Sequence, residues 1–209
     1  MERALSTTTD RRVDHDWIVR NIPPQARLRV LDLGCGDGTL LDRLERENGV
    51  KAIGIDFAPE FVQICIEKGL SAIQADIDEG LQDYPDGAFD YVILCRTFHL
   101  VKQPIFVLAE SLRVGNHVII SFENEAYWRK RLSFLVRGDL PADHGDRVIP
   151  EVTRVRNFLT VSKMEALIKS QGIQIEKKEF FSKAPDGHVR QKPNIRSYLA
   201  LYILAKEHN

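Results

Sequence analysis

Cysteine is scarce in this chain: three residues in 209, Cys35, Cys65 and Cys95. No two stand in a C-x-x-C pair, which removes the common zinc and dithiol motifs, so no metal ligand set is expected. The odd count points to reduced thiols in the cytoplasm rather than to a disulfide framework. Long apolar runs are missing too. No stretch approaches the length of a membrane span, and the first twelve residues, MERALSTTTDRR, hold no apolar leader core and read as a flexible polar segment. Neither sign of charge dominates, with 29 Lys and Arg against 30 Asp and Glu. That near-balance offers no field to gather nucleic acid or an anionic membrane. What remains is a globular composition, 44% hydrophobic and 28% charged, without internal repeats. Residues 13–209 suit one domain with a sizeable core.

Within it, apolar residues alternate between two periods. LRVLDLG (28–34), KAIGIDF (51–57), LSAIQAD (70–76), FDYVILC (89–95) and NHVIISF (116–122) are short apolar runs that read as buried strands. TLLDRLEREN (39–48), PEFVQICIEKG (59–69) and PIFVLAESL (104–112) carry helical spacing, the latter two opening on proline. Alternating strands and helices predict an α/β fold with a parallel sheet covered on both faces. The end of the chain differs. GIQIEKKEFF (172–181) and RSYLALYILAK (196–206) read as an antiparallel strand pair with no helix between them. Residues 123–171 read as a helical insertion, with a basic helix near 125–137 and a second near 162–171 whose Ser162 and Glu165 fit a capping box.

The stretch VLDLGCGDG, Val30 to Gly38, places three glycines two apart directly after a predicted strand. Glycine permits positive φ and lets a ligand approach bare backbone, and the helix that follows offers unpaired N–H groups. A G-x-G-x-x-G dinucleotide loop needs a third glycine where Thr39 stands, and a P-loop needs a Gly-Lys ending that is absent. The flanking Asp32 and Asp37 suit a ligand with an amino group or a sulfonium better than a pyrophosphate. Asp56 ends the second strand, where a carboxylate accepts from ribose hydroxyls in dinucleotide folds, and Asp76 ends the third, within reach of an adenine amino group. An adenosine with a cationic amino-acid tail answers all three features, which is S-adenosylmethionine. Phe57 and Ile77, beside these carboxylates, are candidate walls for the adenine or simply core.

These motifs resemble the class I S-adenosylmethionine-dependent methyltransferases, whose first motif VLDLGCGDG matches and whose next two correspond to GIDFAPE and QADI. The resemblance implies a Rossmann-like, seven-stranded, mostly parallel sheet with an antiparallel C-terminal strand pair. WIVRNIPPQARLRVLDLGCGDGTLL, DIDEGLQDYPDGAFDYVIL and YWRKRLSFLVRGDLP are similar, more narrowly, to the methionine-biosynthesis MetW family. That family is associated with homoserine O-acyltransferase, so the resemblance implies a methionine-biosynthesis role with that enzyme as partner. Glu123 and Glu125 depart from the family's pattern, as does His99, which stands where the family has glutamine.

Gly34, Cys35, Gly36 and Gly38 are therefore expected to line the cofactor, with Asp32, Asp56 and Asp76. Cys35, inside the loop, is expected to pack rather than react. Cys95 lines the pocket near the sulfonium or is a buried small residue. His99 is a candidate general base, although methyl transfer by in-line displacement needs positioning more than a base. Arg129, Lys130, Arg131 and Arg137, interleaved with Trp128, Leu132 and Leu135, form a solvated cover helix or a docking face; Asp139, Asp143 and Asp146 nearby argue against nucleic acid. Three functions compete: a small-molecule methyltransferase yielding S-adenosylhomocysteine, a non-catalytic S-adenosylmethionine-binding regulator of homoserine O-acyltransferase, and a nicotinamide oxidoreductase, which the glycine spacing disfavours.

Overall fold

The computed structural model describes residues 12–138, 157–183 and 187–206. The flexible terminus expected over 1–12 lies outside them up to residue 11, as do 139–156 of the expected insertion with Asp139, Asp143 and Asp146. Seven strands form one sheet: β1 (Arg29–Leu33), β2 (Lys51–Asp56), β3 (Ala72–Gln74), β4 (Phe89–Cys95), β5 (Gly115–Glu123), β6 (Ile173–Phe181) and β7 (Leu199–Lys206), in the order β3-β2-β1-β4-β5-β7-β6. β1 through β5 pair in parallel; β7 runs antiparallel to both β5 and β6. Strand order reverses between β1 and β4, so the carboxyl ends of those strands open the crevice in which ligands of such sheets bind.

Seven helices accompany the sheet among the described residues: α1 (Val13–Asn21), α2 (Thr39–Arg43), α3 (Pro59–Glu67), α4 (Pro104–Val114), α5 (Trp128–Arg137), α6 (Val161–Ser170) and α7 (Pro193–Arg196). Successive strand residues face opposite sides, and each side has its own core. Leu31, Val92, Leu94, Val118, Ile120 and Tyr202 pack under α4 and α6 through Leu108, Met164 and Ile168. On the other side Val30, Ile93, Ile119, Leu201 and Ile203 pack under α1, α2 and α3 through Trp17, Ile18, Leu40, Leu41 and Cys65. Every residue of β7 but Lys206 is buried, as a strand between two neighbours and two helix layers must be.

Three local readings need correction. The 39–48 helix breaks its register, since α2 passes into a π-turn over Leu44–Asn48 that ends on Gly49. There Asn48 Nδ2 donates to Val19 O and Ile22 O at 2.9 and 2.5 Å, closing the end of α1, a helix the sequence reading did not name. The cap of α6 is Thr160, whose Oγ1 accepts from Lys163 N at 3.1 Å; Ser162 N bonds instead to Asn194 Oδ1, and Glu165 pairs with Lys178. The connection between β6 and β7 does contain a helix, α7, one turn long and opened by Pro193.

Candidate functional site

β1 ends at Leu33 with its last four residues buried, and the chain then turns over Gly34, Gly36 and Gly38, at φ of 78°, 56° and 75°. All three lie in the left-handed region, but their surroundings differ. A Cβ on Gly34 would overlap the Thr97 side chain, and one on Gly38 would come within 2.7 Å of Leu70 Cδ1 and 2.8 Å of Cys65 Sγ. These two glycines have packing reasons to be there. A Cβ on Gly36 would meet nothing within 4 Å, so this residue bares its backbone to open space. The turn is held from three directions. Gly34 N and Cys35 N both donate to Ile55 O, Cys65 Sγ donates to Gly36 O at 3.3 Å, and Asp56 Oδ2 accepts from Gly36 N at 2.8 Å.

Asp56 thus stands at the end of β2 with its carboxylate against the middle of the glycine turn. Its Oδ1 also accepts from Ala58 N at 3.0 Å, and each oxygen keeps acceptor capacity. Phe57 beside it is 68% exposed, an unusual position for a large aromatic ring. Asp32 lies on the β1 face that carries Val30, fully buried, and its Oδ1 has no hydrogen-bond partner. Burial, with the Asp56 charge added, pushes its carboxyl up to about 7.

Other expected residues sit differently. Asp37 accepts from Thr39 N and Oγ1 and pairs with Lys68 at 3.6 Å. Asp76 caps the 3-10 turn Ile77–Glu79 by accepting from Asp78 N and pairs with Lys102 at 3.3 Å. Ile77 is half-buried against the α4-side core. Cys35 is buried, its thiol raised well above the ordinary range by burial, and it packs where Gly54 leaves room. His99 is half-buried in the turn after β4, where its carbonyl accepts from Asn157 N at 3.1 Å.

The sequence reading missed a charged cluster at the carboxyl ends of β4 and β5. Asp14 of α1 is completely buried and accepts from Arg12 Nε and Nη2, both at 3.0 Å, and from Arg96 Nε at 2.7 Å. Arg96, just past β4 and at φ 55°, reaches on to Glu123 Oε1 at 3.1 Å, and Lys130 bridges Glu123 to Glu125. Cys95 joins this cluster: its Sγ lies 3.5 Å from Asp14 Oδ2 and 3.4 Å from Ser121 Oγ, and burial raises the thiol well above its ordinary range. Donor atoms of Asp14, His15 and Cys95 lie within 4.8 Å of one another. A divalent cation there would face two guanidinium groups already on the carboxylate, so the spacing does not make a metal centre. The missed signal was the pairing of an acidic first turn, Asp14 and Asp16, with apolar Trp17, Ile18 and Ile22 behind it, which marks a buried helix where the chain still looks polar.

The chain matches the family model "Methionine biosynthesis protein MetW" over residues 12–204. It is 30% identical over 206 residues to the bifunctional methionine biosynthesis protein MetXA/MetW of Rhodopirellula baltica, a match covering 93% of this chain and 33% of that protein. It is 28% identical over 171 residues to a ubiquinone biosynthesis O-methyltransferase of Xylella fastidiosa, covering 77% of this chain and 66% of the relative. The chain therefore spans a third of the length of the first relative and just under two thirds of the second. Among solved structures, S-adenosylmethionine-dependent methyltransferases from Mesorhizobium loti and Archaeoglobus fulgidus each superpose with a TM-score of 0.65, at 18% and 16% identity, over 92% of this chain and 98% and 94% of theirs. The fold is thus the Rossmann-like fold of class I methyltransferases. No helix among the described residues is long and apolar enough to cross a membrane.

Proposed function

The chain belongs to the MetW family of methionine-biosynthesis proteins, and on that premise we propose that its glycine turn binds S-adenosylmethionine for methyl transfer to a small molecule. The observation that carries this reading is Gly36, whose Cα borders open space while its N–H is fixed by Asp56. Gly49, Gly69 and Gly138 also border open space, but they end helical segments; Gly36 follows a central strand at the point where strand order reverses. Bound there, the cofactor supplies a methyl group on a sulfonium and leaves as S-adenosylhomocysteine. The chain's part is to hold it: backbone of Gly34, Gly36 and Gly38 along the amino-acid end, Asp32 toward the cationic groups, Asp56 at the ribose hydroxyls, Phe57, Asp76 and Ile77 around the adenine. Cys95 and His99 border the acceptor side, with His99 the candidate base. The free thiols Cys35, Cys65 and Cys95 fit a reducing cytoplasm.

Calorimetric titration with S-adenosylhomocysteine tests the reading on the wild type and on Gly36→Ala. Alanine at φ 56° costs about 1 kcal/mol of stability, and its Cβ clashes with nothing, so the variant folds. The expected result is an affinity at least roughly tenfold weaker, about 1.4 kcal/mol. Equal affinity in the two proteins would reduce the turn to a turn.

A second reading is favoured by the Rhodopirellula relative, which joins MetXA and MetW in one chain. Fusion keeps two partners at fixed stoichiometry, so we also propose that this chain serves a homoserine O-acyltransferase as an accessory subunit whose cofactor occupancy shifts the partner's states. Pull-down of tagged protein from its native lysate, with and without S-adenosylhomocysteine, separates the two. Near-stoichiometric recovery of the acyltransferase is expected for the accessory role; a protein recovered alone leaves the methyltransferase reading.

A further inference from the structure

A cavity of about 360 Å³ lies at the same end of the strands as the glycine turn but beyond the ends of β5, β7 and β6. Three strand spacings separate β1 from β7, about 14 Å, so this cavity does not include the glycine turn after β1. Its walls come from the start of α5 and from the connection between β6 and β7. Its cations are Arg129, Lys183, Arg190 and Arg196, with His188 beside them, and no carboxylate appears among the described residues that line it. In a chain with 29 basic and 30 acidic residues, such a grouping is not a consequence of composition. Arg129, Arg190 and Arg196 make no ion pair among the described residues; Arg129 instead stacks over Trp128 at 5.3 Å.

The frame around these cations is ordered by its backbone. Ser182 N donates to Gly187 O at 2.6 Å, Val189 N to Phe180 O at 2.8 Å and Tyr198 N to Phe181 O at 2.7 Å, so the chain carrying His188 and Arg190 is stitched to the end of β6. The His188 ring packs on Phe181 with centroids 4.6 Å apart. Tyr127, Trp128 and Val189 add apolar surface between the charges. Guanidinium forks match carboxylate and phosphate oxygens two at a time, and the volume is at the small end of small-molecule sites.

We infer that this cavity binds a small polyanion, a phosphorylated or dicarboxylic molecule with an apolar body, at a site separate from the glycine turn. The inference does not rest on cofactor binding. The test titrates the full chain by calorimetry at low salt with inorganic pyrophosphate in one arm and succinate in the other, which distinguishes phosphate from carboxylate recognition. The proteins are the wild type, the double variant Arg190→Gln/Arg196→Gln, and a control double variant Arg27→Gln/Lys51→Gln that removes the same charge from exposed positions elsewhere. Saturable binding of at least one anion is expected, weakened roughly tenfold or more by the pocket variant and unchanged by the control. S-adenosylhomocysteine affinity stays unchanged in both variants. No saturable heat from either anion would overturn the proposal. So would equal weakening by the two double variants, which would mean general charge attraction, and so would saturation by an oligoglutamate peptide alone, which would make the patch a protein-docking face.

Discussion

Asp32→Asn is expected to stabilise the protein at pH 8 and to weaken its binding of S-adenosylmethionine. The carboxylate is fully buried, its Oδ1 has no partner, and burial plus the Asp56 charge raise it from 3.8 to about 7. Between those two pH values the folded protein holds a proton that the unfolded chain has released, so this group's contribution to stability falls as pH rises through the window. Above pH 7 the folded state carries an ionised carboxylate in an apolar setting, a cost of up to about 4 kcal/mol. Asparagine keeps the shape and the unpartnered polar group but cannot ionise. Urea unfolding of the two proteins gives nearly equal stability at pH 4 and a gap growing toward about 4 kcal/mol at pH 8 in favour of the variant. Parallel curves across that range would show that Asp32 is not an acid with a displaced titration.

Such a residue makes sense where stability is surrendered to function. A cationic ligand arriving at the glycine turn favours the ionised form of Asp32, so binding releases a proton and affinity rises as pH goes from 6 to 8. In the variant that rise is lost. Because the same substitution raises stability and lowers affinity, a damaged fold cannot imitate the result.

The part of the site built on strand ends was legible because the chain there is local: an apolar run, a glycine turn, a carboxylate one strand later. Register then does the rest, pairing Leu33 with Ile55 and so bringing Asp56 against Gly36. What the residues could not settle was the use of short acids after a strand. Asp37, Asp56 and Asp76 all accept from a backbone N–H two residues ahead, but Asp56 turns its other oxygen to Gly36 N while Asp37 and Asp76 take a lysine. An Asx-type cap and a ligand contact ask for the same residue type at the same kind of place. The cap of α6 was misplaced by two residues because Asn194, 32 positions away, occupies the N–H of Ser162. The short α7 has four residues and no apolar period to announce it. The Arg12–Asp14–Arg96 cluster was invisible for a related reason: Arg96 lies 82 residues from Asp14 and meets it only when α1 is laid across the ends of β4 and β5.

That cluster carries the other large expected effect. Asp14→Asn removes one negative charge from between two guanidinium groups and leaves Arg12 and Arg96 facing each other. Breaking one side of a buried ion pair costs about 3–5 kcal/mol. The Arg12 and Arg96 side chains are 40% and 29% exposed and find water more easily than a buried partner would. The expected loss is therefore at the low end, about 3 kcal/mol at pH 7, or roughly 10 °C in melting temperature for a chain of this size. Burial opposes ionisation of Asp14, but the hydrogen bonds from Arg12 and the charges of Arg96 and Arg12 outweigh it and hold the carboxyl well below the usual carboxylate range. Stabilisation from such a group is complete above the unfolded value near 4 and fades as pH falls further toward the folded one. The gap between wild type and variant consequently narrows below pH 4, the reverse of the Asp32 pattern, whose gap opens above it. Arg96 also depends on Asp14: at φ 55° it occupies a conformation that costs a non-glycine residue about 1–2 kcal/mol, held by Asp14 on one side and Glu123 on the other. Loosening Arg96 frees Thr97, whose side chain packs against Gly34. Asp14→Asn should then raise hydrogen-exchange rates in the glycine turn as well as in α1, and unchanged protection at residues 34–38 would separate the cluster from the site.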